Sequence, residues 1–147
     1  MNPHEGKIIG LCHGCFDVIH VGHIIHLKEA KSICDILFVS VTSDKFVSKR
    51  KGSNRPVFSL DERVEVLSSI KYVDFVIPCD AETALPSIDS IRPDFYIKGF
   101  EYSESVDSDK NLMKEINAVN KFGGDIRFVG KDYGWSSTKV LYFMSGQ

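Results

Sequence analysis

The sequence predicts an α/β protein, a single Rossmann-like doubly wound domain around a five-stranded parallel sheet, and three observations carry that prediction. Short apolar runs alternate with stretches of helical spacing along the chain, the pattern of strands joined by helical crossovers. The apolar runs are continuous rather than alternating, as in KIIGLC and ILFVSV, which is how strands covered on both faces read. The helical stretches carry their own start and stop signals.

Lys7 to Cys12 reads as the first strand and ends at His13-Gly14. Gly22 to Ile33 follows as a helix, with Ile24, Leu27, Ala30 and Ile33 recurring at about one face. Ile36 to Val41 is the second strand, and residues 42–58 read as a loop holding the charge run KRKGSNRP. Ser59-Leu60-Asp61-Glu62 is a capping box, in which Ser59 caps the next helix and Glu62 reaches back. Val64, Val66, Leu67 and Ile70 give that helix its apolar side. Phe75 to Ile77 is the third strand, stopped by Pro78, and Leu85 to Ile91 is a short helix before Pro93. Phe95 to Lys98 is the fourth strand, ending at Gly99, and the polar stretch 103–110 reads as a mobile loop. Asn111 to Phe122 is helical and closes at Gly123-Gly124. Asp125 to Val129 is the fifth strand, and Ser136 or Ser137 caps a last helix through Val140, Leu141 and Phe143.

A length of 147 residues fits one domain spanning 1–147. With 43% hydrophobic and 26% charged residues, the chain is neither a disordered tail nor a disulfide-stapled miniature. Its 18 Lys plus Arg against 20 Asp plus Glu leave a net charge of −2, which disfavours nucleic acid as a partner. The N-terminus has no basic and apolar leader, and no apolar stretch reaches the roughly 20 residues that cross a membrane. A cytoplasmic protein is therefore expected, with Cys12, Cys15, Cys34 and Cys79 as reduced thiols. The abrupt Ser145-Gly146-Gln147 end reads as that of a trimmed or excised domain.

In a doubly wound sheet, ligands sit beyond the carboxyl ends of the strands. That points to the loops 13–23, 42–58, 98–110 and 130–138. The first holds His13, Gly14, Cys15, Phe16, Asp17 and the run His20-Val21-Gly22-His23. Two histidines three residues apart at a helix start share one face, beside the positive end of the helix dipole. Gly22 between them leaves room for a phosphate, so the segment reads as an anion cradle. Lys45, Lys49, Arg50, Lys51 and Arg55 add five cations within 11 residues.

The segment from Gly14-Cys15-Phe16-Asp17 to His20-Val21-Gly22-His23 resembles the HxGH signature of the cytidylyltransferase-like nucleotidyltransferases. Trp135-Ser136-Ser137-Thr138-Lys139 resembles their second signature, at the last helix. Arg55-Pro56-Val57-Phe58-Ser59 through Arg63, with Tyr72-Val73-Asp74, resembles the middle segment of sugar-nucleotide members. With Arg92-Pro93-Asp94-Phe95-Tyr96-Ile97-Lys98-Gly99, the pattern is most like the heptose-1-phosphate adenylyltransferase domain, with glycerol-3-phosphate cytidylyltransferase next. His13, Cys15 and Phe100 stand where relatives carry other residues.

The resemblance implies transfer of a nucleoside monophosphate from an NTP to a phosphorylated sugar or polyol, with release of pyrophosphate. His20, His23, Lys49 and Arg63 would then be catalytic. His13, Gly14, Cys15, Phe16, Gly22, Lys45, Lys98, Gly99, Glu101, Ser136, Ser137 and Thr138 would bind the nucleotide. Mg²⁺ would be held mainly by the NTP phosphates, with no dedicated protein site. The partners implied are the NTP, a phosphorylated small molecule and a second copy of the chain, as a homodimer. Two other readings compete: a nucleotide-sensing module without turnover, and a metal site built on Cys12-His13-Gly14-Cys15 with His4 and His26.

Overall fold

The computed structural model of the protein describes residues 5–130. Ser136, Ser137, Thr138, the last expected helix and His4 lie outside the described residues. The elements run β1 (Ile9–Gly14), α1 (Val21–Ser32), β2 (Ile36–Thr42), α2 (Asp44–Lys51), α3 (Leu60–Ser68), β3 (Phe75–Cys79), α4 (Leu85–Ile91), β4 (Phe95–Gly99), α5 (Lys110–Lys121) and β5 (Asp125–Val129). A 3₁₀ turn, Phe100–Tyr102, follows β4.

The five strands form one sheet in the order β3-β2-β1-β4-β5. Every pairing is parallel. Both sheet faces are covered, as the unbroken apolar strands require. Leu27 and Ala30 of α1 and Leu67 of α3 pack with Cys12, Leu37, Val39 and Val41 on one side. Ala84 and Ile88 at α4 and Leu112, Ile116 and Val119 of α5 pack with Leu11 and Tyr96 on the other.

Two elements differ from the sequence reading. Residues 44–51 are a helix rather than a loop. Val47 is wholly buried beneath it, and Asp44 in its first turn and Lys49, Arg50 and Lys51 in its last complement the helix dipole. The charge run is thus largely the end of a helix. The third strand also runs past Pro78, which registers with Val41 of β2. β3 is an edge strand, where proline's missing donor costs no ladder bond.

The start and stop signals hold. Ser59 and Glu62 make the reciprocal capping box that opens α3. After α5, Gly123 takes a φ of +83°, and Gly124 N–H donates back to the Val119 carbonyl at 3.0 Å. The 103–110 stretch is a series of turns closed by its own bonds, among them Asp109 N–H to the Ser105 carbonyl at 2.9 Å.

Strand order decides where a ligand can enter. From β1 the chain winds outward to β2 and β3, then crosses to β4 and β5, so the topological switch point lies between β1 and β4. β1 pairs with β2 as far as Gly14, and β4 with β5 as far as Gly99. Between β1 and β4 the register covers only Gly10 with Phe95 and Leu11 with Tyr96. Beyond those pairs the sheet parts, leaving His13 and Lys98 on opposite lips of a crevice.

Candidate active site at the sheet's switch point

The histidine segment is assembled by its own backbone. His20 is the N-cap of α1, and its Nδ1 accepts from Gly22 N–H at 3.0 Å. His23 Nδ1 accepts from the His20 N–H at 3.1 Å, so the two histidines form a capping box. The Gly22 amide is thus spent within the helix cap. An imidazole whose Nδ1 accepts, and which is neutral, carries its proton on Nε2.

Both rings are held neutral. Burial lowers the His20 pKa, and it brings that of His23 down to about 3, helped by His20, His26 and Lys51. Each therefore presents one Nε2–H donor that no acceptor among the described residues takes up. The ring centroids are 4.0 Å apart, so the two donors act on neighbouring points. Phe16 sets their place: its ring lies 5.6 Å from that of His23, and its backbone sits at φ +49°, where bulky residues are rarely held.

The loop below is clamped by one buried ion pair, Arg55–Asp17, and by the buried guanidinium of Arg63. Asp17 is 3% exposed and accepts from Arg55 Nε at 2.7 Å, from Val57 N–H and from Phe58 N–H. Burial would raise its pKa, but the two amides and Arg55 outweigh that and bring it below the usual carboxylate value. Asp17 is thus a tether between motif and loop.

Arg63, expected to reach phosphate, is corrected by its surroundings. Its side chain is fully buried, and it donates to the carbonyls of Phe58 at 3.0 Å, Cys15 at 2.7 Å and Thr42 at 2.7 Å, and to Asp44 at 2.7 Å. A guanidinium spent on four protein acceptors braces the motif from beneath and has no fork left for a ligand.

Beyond the crevice, on the α4–α5 side, lies a cleft of about 230 Å³. Lys49, Arg50 and Lys98 bring positive charge to it, and Glu82, Asp109 and Glu115 bring negative. His13 lines its inner edge, between Ser40 Oγ at 2.9 Å from Nδ1 and Thr42 Oγ1 at 3.4 Å from Nε2. Burial lowers the His13 pKa to about 3, with Lys98 and Arg50 adding to the effect. Lys98 sits 4.3 Å from the Tyr102 ring centre, a cation–π contact that steadies its long side chain.

Of the residues anticipated from sequence, His13, Lys49 and Lys98 line the cleft, and Gly14, Cys15, Phe16, Gly22, His20 and His23 form the motif beside it. Gly99 ends β4, and a β-carbon there would run into the Glu101 carboxylate. Glu101 itself is exposed on the 3₁₀ turn. Lys45 is not brought to the cleft: it lies 3.9 Å from Asp80 with its side chain 70% exposed. Arg50 was not singled out, yet it faces the cleft, and its charge reaches His13, Lys98 and Tyr102. Reading 44–51 as a helix would have found it, since the face that buries Val47 fixes where its neighbours point. Asp109, Asn111 and Glu115 were also missed, being brought in by α5 from far along the chain.

The four cysteines are free thiols. Cys12 is wholly buried and burial raises its pKa. Among the described residues, no three His, Cys, Asp or Glu side chains gather as a metal site. Cys12 and Cys15 are both buried at the carboxyl end of β1.

The parted parallel sheet, with paired imidazole donors beside its switch point, is that of a Rossmann-like domain. The chain belongs to the cytidylyltransferase-like family, whose model matches residues 11–142. It is 33% identical over 137 residues to the bifunctional protein HldE of Syntrophotalea carbinolica, covering 93% of this chain and 27% of that one. To the bifunctional protein HldE of Campylobacter jejuni it is 37% identical over 141 residues, 96% of this chain and 28% of that one. The chain thus spans little more than a quarter of the length of these curated relatives. Among solved structures, the lipopolysaccharide core biosynthesis protein of Thermoplasma volcanium superposes with a TM-score of 0.69 at 28% identity, covering 86% of this chain and 99% of that one.

Proposed function

We propose that this domain transfers a nucleoside monophosphate from an NTP to a phosphorylated sugar or polyol, in sugar-nucleotide synthesis. The observation that carries the reading is the neutral His20–His23 pair, each ring fixed through Nδ1 and offering Nε2–H beside the parted sheet. Family membership and the lipopolysaccharide-biosynthesis neighbour support it.

The chemistry asks little of a nucleophile. A phosphate oxygen of the acceptor attacks the α-phosphorus, the bond from that phosphorus to the bridging oxygen breaks, and pyrophosphate leaves with the electron pair. No proton need be removed, because the attacking phosphate is already an anion. The barrier lies in bringing two anions together and in the charge that spreads over the α-phosphate. His20 and His23 would donate to those oxygens without reorganising, since their tautomer is already set. Lys49, Arg50 and Lys98 would screen the meeting of the two phosphorylated molecules.

Mg²⁺ would come with the triphosphate and neutralise part of its charge. The buried carboxylate of the motif, Asp17, and the nearby Asp44 are committed to Arg55 and Arg63. The ion's remaining ligands would then be phosphate oxygens and water, as is usual for Mg²⁺. Ser136, Ser137 and Thr138 would complete the nucleotide side.

The preferred pair is ATP with heptose 1-phosphate; the alternative is CTP with glycerol 3-phosphate. The four free thiols fit a cytoplasmic enzyme. Among the described residues no helix is long and apolar enough to cross a membrane. Val66 on α3 and Phe75 on the edge strand are 47% and 46% exposed, and there we place the contact of a homodimer, which light scattering would test. Pyrophosphate release, measured over a matrix of NTPs and sugar or polyol phosphates, tests the main reading. Activity with one pair is expected; tight NTP binding with silence across the matrix would favour the sensing module instead.

A further inference from the structure

A buried chain of hydroxyls runs from α4 to the crevice and ends on the His13 ring. Side chains alternate across β1 and β2. Leu11 faces α4 and α5 while Cys12 faces α1, so His13 lies on the α4–α5 face of the sheet. His23 lies on the other face, beside Phe16. Ser40, in register with His13 on β2, is directed to Ser87 of α4. The Ser40 and Ser87 hydroxyls are buried and 2.6 Å apart, and Ser40 Oγ lies 2.9 Å from His13 Nδ1. Ser87 has no other acceptor among the described residues, so its hydrogen points to Ser40, and that of Ser40 goes to Nδ1.

The neutral ring therefore carries its proton on Nε2. Among the described residues that N–H meets Thr42 Oγ1 alone, at 3.4 Å, longer than the usual range of about 2.7–3.2 Å. Thr42 gives its own hydrogen to the Gly14 carbonyl. The imidazole is thus locked at one nitrogen and loosely held at the other, at the edge of the cleft. Charge decides what the loose donor can take. Arg50 and Lys98 both act on His13, so an anion is favoured beside it. The cleft as a whole sets Lys49, Arg50 and Lys98 against Glu82, Asp109 and Glu115. That balance suits one phosphate on a small ester; a triphosphate would bring more negative charge than the lining offsets.

We propose that His13 binds the acceptor, its Nε2–H donating to the phosphate of a phosphate monoester in this cleft, and that Ser40 is the positioning residue that fixes its tautomer. A phosphate held by His13 and Lys98 lies at the split between β1 and β4, while the nucleotide's phosphates are left to His20 and His23 on the other face. This assignment rests on the transferase reading above, and it gives His13 to the acceptor rather than to the nucleotide.

The test uses the whole chain and the variants His13→Ala, His13→Gln and Ser40→Ala. Gln carries an amide N–H at nearly the reach of Nε2, and Ala carries none. In protein labelled with ¹⁵N at histidine, the His13 signals, assigned by their loss in His13→Ala, are expected to report the Nε2–H tautomer, and Ser40→Ala to admit the Nδ1–H form. Calorimetric titrations use heptose 1-phosphate, glycerol 3-phosphate and ATP as probes, and steady-state rates use the monoester that the wild-type protein accepts. His13→Ala is expected to weaken that monoester tenfold or more and raise its KM as much, with the ATP affinity and the KM for NTP unchanged; His13→Gln should recover most of the loss. Ser40→Ala should raise the same KM by a smaller factor, and if it fails to fold the two His13 variants decide. Equal weakening of ATP, an Nδ1–H ring in wild type, or an unchanged acceptor KM in His13→Ala would each overturn the assignment and, while wild type releases pyrophosphate, spare the transferase reading. Absence of pyrophosphate release by wild type with every acceptor would overturn both.

Discussion

A neutral histidine is usually an open question of tautomer; here each is answered by a backbone amide. Because His20 and His23 spend Nδ1 on Gly22 N–H and His20 N–H, the helix cap and the proposed donor pair are one structure. The two roles separate by substitution. His23→Gln keeps a side chain able to close a capping box, and His20→Asn keeps a good N-cap. Both variants should melt close to wild type yet lose about 10²–10³ in kcat, the scale of removing one preorganised donor. A rate near wild type in either would remove that histidine from the chemistry.

The same burial makes stability depend on pH. His13 and His23 titrate near 3 in the fold and near 6.5 when unfolded. Between those values the unfolded chain holds more protons, so stability rises with pH through the window and is level above it. Acidifying from pH 7 toward 5 should lower the Tm, with a slope approaching about 1.4 kcal/mol per pH unit for each ring below 6.5. A flat thermal profile over that range would mean that the rings are protonated in the fold.

At the scale of elements, the motif is held by what packs beneath it. The segment 55–58 and the start of α3 supply Arg55, two amides and Arg63 to the loop after β1. Asp17→Asn would leave the Arg55 guanidinium, 9% exposed, without its counter-charge. Loss of one partner of a buried pair costs about 3–5 kcal/mol, which a denaturant midpoint would register. Arg63→Lys should also lower kcat by shifting the Cys15 carbonyl and Phe16, with its deficit unrelieved by raising NTP. Rescue at high NTP would show that Arg63 instead holds the nucleotide.

For the whole molecule, the split between β1 and β4 divides the site into two sides, the histidine motif by α1 and the cleft by α5. A ligand that fills either side should stabilise the fold by mass action, about 2.7 kcal/mol at 100 times its Kd. ATP and the acceptor together should raise the Tm beyond either alone, and a thermal-shift matrix that includes CTP would show which base is preferred. If no nucleotide shifts the Tm at concentrations up to millimolar, the crevice is not a nucleotide site.

Much of this was legible without coordinates. The five strands, the capping box at Ser59 and Glu62, the Gly123-Gly124 stop and the helix start at His20 are local matters of spacing, caps and turns, and a sequence carries them outright. What the chain could not disclose is where its distant segments meet. Arg63 could be read as a ligand for phosphate because its spacing is right, and only the carbonyls that surround it show that it is spent. Arg50 and Glu115 come to the cleft because α2 and α5 pack as they do, and His13 meets Lys98 because β1 and β4 part after Leu11 and Tyr96. Local free energies determine which elements form; burial and the accounting of every buried donor and acceptor decide which side chains remain free for chemistry.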